Sequence, residues 1–333
     1  MNLEHAVQTI AKRGFTDRQA RFLVLVARHS GVCVMRQYSS FAGIVFGQKT
    51  RKFFANLVRL GFVSTYDCAH NRGRVYHVRH RAIYEAIGEP DSRLRRPPGV
   101  PRALERLMLL DAILENPESI WMSSSTEKLG YLASRGISAD DAPYLSIRQG
   151  DQRRVRHFPD RLPIGVHPSG HVVVVYLHAD PMHDEFRDFL QRHALLLERL
   201  PAWTIRTVVP AHLEGAVQGL QKVAWGQLAS PLKEPILTEL RWSFDRFANP
   251  PTQASAAVDR ARFERCRRAF ATDRYAVLYR CWRQDGERVA GDRFVARRGE
   301  GNGVRRRQNR AARVAACLQP PGADGRRRLK VFG

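Results

Sequence analysis

The sequence predicts a multidomain protein of mixed α+β and α/β class: a helical N-terminal unit closed by a β-hairpin, a central α/β domain, and a basic C-terminal region. Three observations predict it. Residues 1–88 read as helices joined by a short turn and followed by two β-rich stretches. Residues 103–250 hold a run of valines between amphipathic helical segments. The chain of 333 residues carries a formal net charge of +23, and that charge is gathered at its two ends.

The N-terminal elements follow from local signals. Thr16-Asp17-Arg18-Gln19 has the spacing of a capping box, in which a hydroxyl and an amide side chain satisfy the free N–H groups of a helix start. The helix that follows points Phe22, Leu23, Leu25 and Val26 inward and Arg18, Arg21 and Arg28 outward, and Ser30-Gly31 stops it. A second helix is expected over 35–42 and a turn over 43–47, and a third helix starts near Gln48. In the third, Phe53, Phe54, Leu57, Val58 and Leu60 are assigned to the core, leaving Gln48, Lys49, Arg51, Lys52, Asn56 and Arg59 on the other face. Long donors on a helix face, strongest near its N-terminus, are what a DNA major groove requires. Gly61 ends the helix, and strands over 62–66 and 75–79 enclose a loop carrying Arg72 and Arg74. Helix, turn, helix and a basic-tipped hairpin form the pattern of a winged helix-turn-helix. A protein-docking unit of the same shape is the competing reading.

A stretch over 89–102 with four prolines and with Arg93, Arg95 and Arg96 reads as a linker, its arginines suited to following a minor groove or to keeping the segment soluble. A helix over 103–115 opens the central domain. There the order runs from a helical segment around Glu127, through His157-Phe158-Pro159-Asp160 and a turn at 168–170, to the strand Val172-Val173-Val174-Val175-Tyr176-Leu177. A helix over 184–200 and a strand over 204–209 complete it. This order resembles the PD-(D/E)xK nuclease fold. In that family the Pro-Asp aspartate and a Glu-x-Lys on the next strand hold a divalent metal and activate water. Asp160 matches the first motif, but Tyr176-Leu177-His178 stands where Glu-x-Lys belongs, and a tyrosine does not replace a metal-binding carboxylate. The resemblance therefore implies a degenerate, non-catalytic domain with no metal or other cofactor. An active nuclease recruiting Asp180 or Glu127 beside Asp160 stays open.

Beyond residue 250, a basic helix over 259–271, a strand over 275–282 and a hairpin turn at 284–287 are expected within a unit at 251–296. Residues 297–333 read as a flexible tail that includes Arg305, Arg306 and Arg307. Residues 1–100 hold 17 Lys and Arg against 6 Asp and Glu, residues 101–273 hold 22 against 21, and residues 274–333 hold 16 against 5. A field of that sign at both ends draws phosphate backbones by counterion release. Arginine-rich codon usage would also favour Arg over Lys, but it does not produce a neutral middle.

Other chemistries lack their residues. The five cysteines form no C-x-x-C pair, so neither a disulfide framework nor a zinc ribbon is expected, and a reducing compartment fits. The nearest ligand cluster, Cys68 with His70, His77 and His80, sits equally well as strand and turn residues. No stretch approaches the roughly 18 apolar residues of a membrane span, so a cytoplasmic, nucleoid-associated protein is expected. There is no phosphate-binding G-x-x-x-x-G-K-[ST] loop, no G-x-S-x-G elbow, no His-x-x-Arg recombinase box and no paired His-x-His.

The stretches RQYSSFAGIVFGQKTRKFF and DCAHNRGRVYHVRHRAIYEAIGEPDSRLRRPP resemble the cointegrate-resolution protein T (TnpT) family of replicative transposons, most clearly over residues 15–98. The resemblance implies a sequence-specific, double-stranded DNA-binding accessory factor that works beside a TnpS-like tyrosine recombinase. Inverted-repeat sites would favour a homodimer. A transcription regulator or replication initiator of a mobile element is the alternative.

Overall fold

Thr16 fixes the entry to the N-terminal core: its hydroxyl accepts from the Gln19 N–H at 3.3 Å while the Gln19 side chain accepts from the Thr16 N–H at 3.0 Å. Helix α2 (Asp17–His29) starts there, after α1 (Leu3–Ala11). In the computed structural model the described residues are 3–67, 73–149, 152–224, 226, 234–252 and 256–271, with 275, 278–279, 282–283 and 312–314 beyond them. They form a mixed α+β architecture.

The chain continues through β1 (Val32–Cys33), α3 (Met35–Ala42), α4 (Gln48–Arg59), β2 (Val63–Asp67), β3 (Arg74–Val78) and α5 (Arg81–Ala86). The strands pair antiparallel in the order β1-β3-β2. Gly43, at φ 62°, ends α3 in the left-handed conformation that glycine adopts without strain. Aromatic rings close the core, with Phe22 against Tyr38 at 5.2 Å, Tyr38 against Phe53 at 4.5 Å and Phe54 against Tyr76 at 4.4 Å between centroids.

Two assignments along these helices are corrected. Arg28 does not face solvent; it is buried and paired with Glu127. Val58 and Leu60 do not enter the core and are 44% and 37% exposed, because Thr50, Phe53, Phe54 and Leu57 already fill the inward stripe.

The segment expected as a linker is packed instead. Ser92 caps a 3-10 turn over Arg93–Arg95, Leu94 is buried, and the Leu94 carbonyl oxygen meets His77 Nε2 at 2.9 Å. A Cβ added to Gly31, which sits at φ 70°, would lie 2.7 Å from that oxygen, so only glycine permits the approach. Helix α6 (Val100–Leu114) begins earlier than expected, because Pro101 in its first turn lacks an N–H that would have no partner there. It docks onto the N-terminal unit through Leu107, which clusters with Val32, Val34 and Val75.

The central domain is built from β4 (Ile120–Met122), α7 (Ser125–Ser134), β5 (Tyr144–Gln149), β6 (Gln152–His157), β7 (Ile164–Val166), β8 (Val172–Leu177), α8 (Asp184–Arg199) and β9 (Trp203–Pro210). Strands β4, β7 and β8 are antiparallel neighbours, and β9 lies parallel to β8. Val175 packs with Met108, Ala112 and Ile113 of α6, while Val174 and Tyr176 pack with Phe186, Phe189 and Leu190 of α8. A strand covered on both faces reads as an unbroken apolar run. Strands β5 and β6 form a separate antiparallel hairpin that the sequence pattern does not reveal.

Helices α9 (Val217–Ala224), α10 (Glu234–Ala248) and α11 (Ala257–Ala269) follow. Leu237, Leu240 and Phe244 of α10 cluster with Leu278 and, at their margin, Phe270, Tyr275, Tyr279 and Trp282, so this helical unit begins before residue 251. The strand expected over 275–282 is not found, since the described positions there are helical. Within the tail, β10 (Ala312–Val314) adds parallel to β9 at the sheet edge, and the rest of the segment expected to be flexible, 297–311 and 315–333, lies outside the described residues. No helix among the described residues is long and apolar enough to cross a membrane.

Candidate nucleic-acid interface

The outer face of α4 holds basic residues without a single acid. Gln48, Lys49, Arg51, Lys52 and Arg59 are exposed, Asn56 is half-buried, and Arg59 donates to Asn56 Oδ1 at 2.7 Å. The inward residues that fix this orientation are Phe53, Phe54 and Leu57.

The structure divides the six expected residues. Lys49, Lys52, Asn56 and Arg59 line one wall of an open groove of about 1050 Å³, whose opposite wall is the start of α2 at Thr16, Asp17 and Arg18. Arg51 lies elsewhere, its guanidinium 5.7 Å from the ring centre of Phe46. Phe46 and Val45, in the turn before α4, are 49% and 92% exposed. Large apolar side chains on a tight turn beside a basic helix were not singled out from sequence; their signal is the Val-Phe pair between Gly43 and Gly47. Gln48 stands at the N-terminus of α4 outside the groove.

At the hairpin, Arg74 pairs with Asp67 at 3.0 Å across the first register position after the loop. Arg72 lies outside the described residues, as do Arg305, Arg306 and Arg307. Arg95 is engaged internally with the carbonyls of Arg79 and Pro90, whereas Arg93 and Arg96 are exposed. His77 and His80 are occupied, the first with Leu94 and the second capping α5 through an N–H of Ala82 at 3.2 Å.

Asp160 sits in a different setting, in the turn between β6 and β7. Its Oδ1 accepts from Arg192 of α8 at 2.9 Å. Beside it, Lys128 of α7 is 1% exposed, donates to the Leu162 carbonyl at 2.7 Å and lies 5.0 Å from the centre of the Phe158 ring. Burial pushes the Lys128 ammonium down to about 8. His193 is buried, bonded through Nδ1 to the Phe189 carbonyl at 2.8 Å, and burial pushes it down to about 4. Lys128, Arg192 and His193 were not expected here, since they come from helices far apart in sequence and come near Asp160 only in the folded chain.

The other carboxylates weighed for this site point elsewhere. Glu127 accepts the N–H groups of Ser123 and Ser124 and pairs with Arg28, and Asp180 accepts the Met182 N–H at 2.8 Å. Tyr176 is buried between Phe186 and Phe189, at 4.7 and 4.8 Å between ring centres. The void lined by Asp160, Phe158 and His193 measures about 10 Å³, room for no more than one water.

No protein family, curated protein or solved structure matches the chain.

Proposed function

We propose that this chain is a non-catalytic, double-stranded DNA-binding protein whose N-terminal unit is a winged helix-turn-helix. The observation that carries the reading is the acid-free outer face of α4, with Lys49, Arg51, Lys52 and Arg59 exposed between a glycine-bounded turn and the β2–β3 hairpin. The order α2, β1, α3, α4, β2, β3 supports it. Donors on the first two turns of α4 would reach base edges and flanking phosphates, and the hairpin would follow the adjoining backbone.

The central domain is read as a nuclease-like fold that has lost catalysis. Tyr176, packed among phenylalanines where the family carries a metal-binding carboxylate, supports that loss, as does the commitment of Asp160 to Arg192. The resemblance over residues 15–98 adds the specific role: an accessory factor in the cointegrate-resolution recombination of a transposon, acting as a homodimer beside a tyrosine recombinase. A regulator or replication initiator of a mobile element shares every DNA-binding feature.

Footprinting of the purified chain across its source element tests both levels. Protection at a recombination site supports the accessory role. Protection confined to a promoter or origin replaces it, and absence of any protected site overturns sequence-specific binding.

A further inference from the structure

The turn between α3 and α4 presents apolar side chains to solvent from an anchored backbone. Ile44 packs on the N-terminal core, but Val45 and Phe46 after it are 92% and 49% exposed. The N–H groups of Gly43 and Ile44 donate to the Ser40 and Ser39 carbonyls at 3.2 and 3.0 Å, which ties the start of the turn to α3. Beneath it the buried hydroxyls of Ser39 and Thr50 bond to each other at 2.9 Å and join α3 to α4.

Phe46 precedes Gly47, the cap of α4, and meets Arg51, whose guanidinium carbon lies 5.7 Å from the ring centre. At these two positions a helix often carries an apolar pair that sets the entry angle of the chain. Here the helical partner is a cation, which flanks the ring and leaves about half of Phe46 open. Such a staple accounts for the contact between Phe46 and Arg51 but not for the exposure of Val45. The electrostatic setting selects what covers the pair. No Asp or Glu occurs between Asp17 and Asp67, a stretch that holds eight Lys and Arg residues, and Lys49, Arg51 and Lys52 are exposed just after the turn. An apolar tip on an acid-free basic face is complementary to a polyanion, and among the base edges of a DNA major groove the apolar group on offer is the C5-methyl of thymine.

We propose that Val45 and Phe46 contact thymine methyl groups in the major groove, with Arg51 holding the Phe46 ring, so that the turn adds a preference for thymine to the contacts made by α4. The inference rests on the DNA-binding reading of α4 and deepens it by naming a base that the site selects.

The test uses the full chain and the duplex recovered by footprinting, prepared once with thymine and once with uracil at every thymine position of the protected site. Fluorescence anisotropy gives the affinity for each. The parent is expected to prefer the thymine duplex by about fourfold for each methyl group taken out of water. Phe46→Ala and Val45→Ser should bring this ratio toward one, whereas Phe46→Leu, which keeps an apolar tip, should retain most of it. Val45→Ser also separates binding from folding, because so exposed a side chain adds nothing to the core. A ratio of one in the parent, or a parental ratio in both Phe46→Ala and Val45→Ser, overturns the inference; the α4 reading stands if Lys52→Ala still weakens cognate binding. Equal weakening of both duplexes by the two variants overturns it as well, since the tip then serves the sugar–phosphate backbone or the fold. Variants that keep the parental ratio but lose self-association, or lose binding to phosphatidylserine vesicles, would assign the tip to a second copy or to a lipid surface. A chain that protects no site overturns both readings.

Discussion

Arg36 of α3 and Asp111 of α6 form a two-point ion pair, with Nη1 to Oδ1 at 2.8 Å and Nη2 to Oδ2 at 2.6 Å, that fastens the N-terminal unit to the central domain. Gln37, fully buried, completes the joint by donating to Asp111 Oδ1 and to the Leu107 carbonyl, both at 2.9 Å. Asp111→Ala leaves a buried amide donor and a guanidinium short of their acceptor. A loss of about 2–3 kcal/mol in unfolding free energy is expected by denaturant titration. Arg36→Lys should recover only part of the stability lost by Arg36→Ala, since an ammonium cannot reproduce the planar two-point geometry. Full recovery would show that charge alone makes the joint.

Lys52 is among the α4 residues that line the groove, and in the proposed DNA complex its side chain would reach base edges and phosphates. Lys52→Ala is expected to weaken binding to the cognate site more than to random DNA, by about 1–3 kcal/mol for a base contact. Deleting residues 297–333 should weaken both alike and flatten the salt dependence. Competition titrations with cognate and random duplexes measure the difference. Equal losses from Lys52→Ala on both DNAs would remove the division between a specific α4 face and a nonspecific tail.

The N-terminal elements were legible because their signals are local. The Thr16 capping box, the glycine stop at Gly43 and the spacing of Phe53, Phe54 and Leu57 are each set within one helical turn. Arg28 was misread because its partner Glu127 is 99 residues away, and no periodicity reveals such a pairing. The segment over 89–102 looked like a linker because proline, glycine and arginine mark exposed chain, yet Leu94, buried against Gly31, and Arg95, bonded to the Arg79 and Pro90 carbonyls, hold it in place.

Asp160 is the residue on which a catalytic alternative depends. With its Oδ1 held by Arg192 and Tyr176 stacked on the neighbouring strand, the chain is expected to leave supercoiled plasmid intact during incubation with Mg²⁺ or Mn²⁺. Gel electrophoresis of the plasmid reads the outcome. Cleavage that Asp160→Ala abolishes would restore the nuclease reading; cleavage that survives the substitution would indicate a contaminant.

Lys128 provides a pH signature for the central domain. Its ammonium, 1% exposed, is pushed down to about 8 by burial, against 10.5 for a solvated lysine. Below pH 8 both folded and unfolded chains hold the proton, and the folded state bears the full cost of burying the charge. Between pH 8 and 10.5 the unfolded chain binds more protons than the folded one, so unfolding free energy rises with pH across this window. The rise credited to Lys128 is about 3 kcal/mol at most. Burial raises Tyr84 and Tyr176, which opposes the trend above pH 10, but those groups are common to the parent and to a Lys128→Met variant. Loss of the donor to Leu162 costs the variant about 1 kcal/mol at every pH. The difference in stability between parent and variant, from denaturant melts at pH 7.5 and 10, should therefore shift in favour of the parent as pH increases. A difference that stays flat would mean that Lys128 keeps an ordinary lysine's proton affinity and that its burial carries no electrostatic cost.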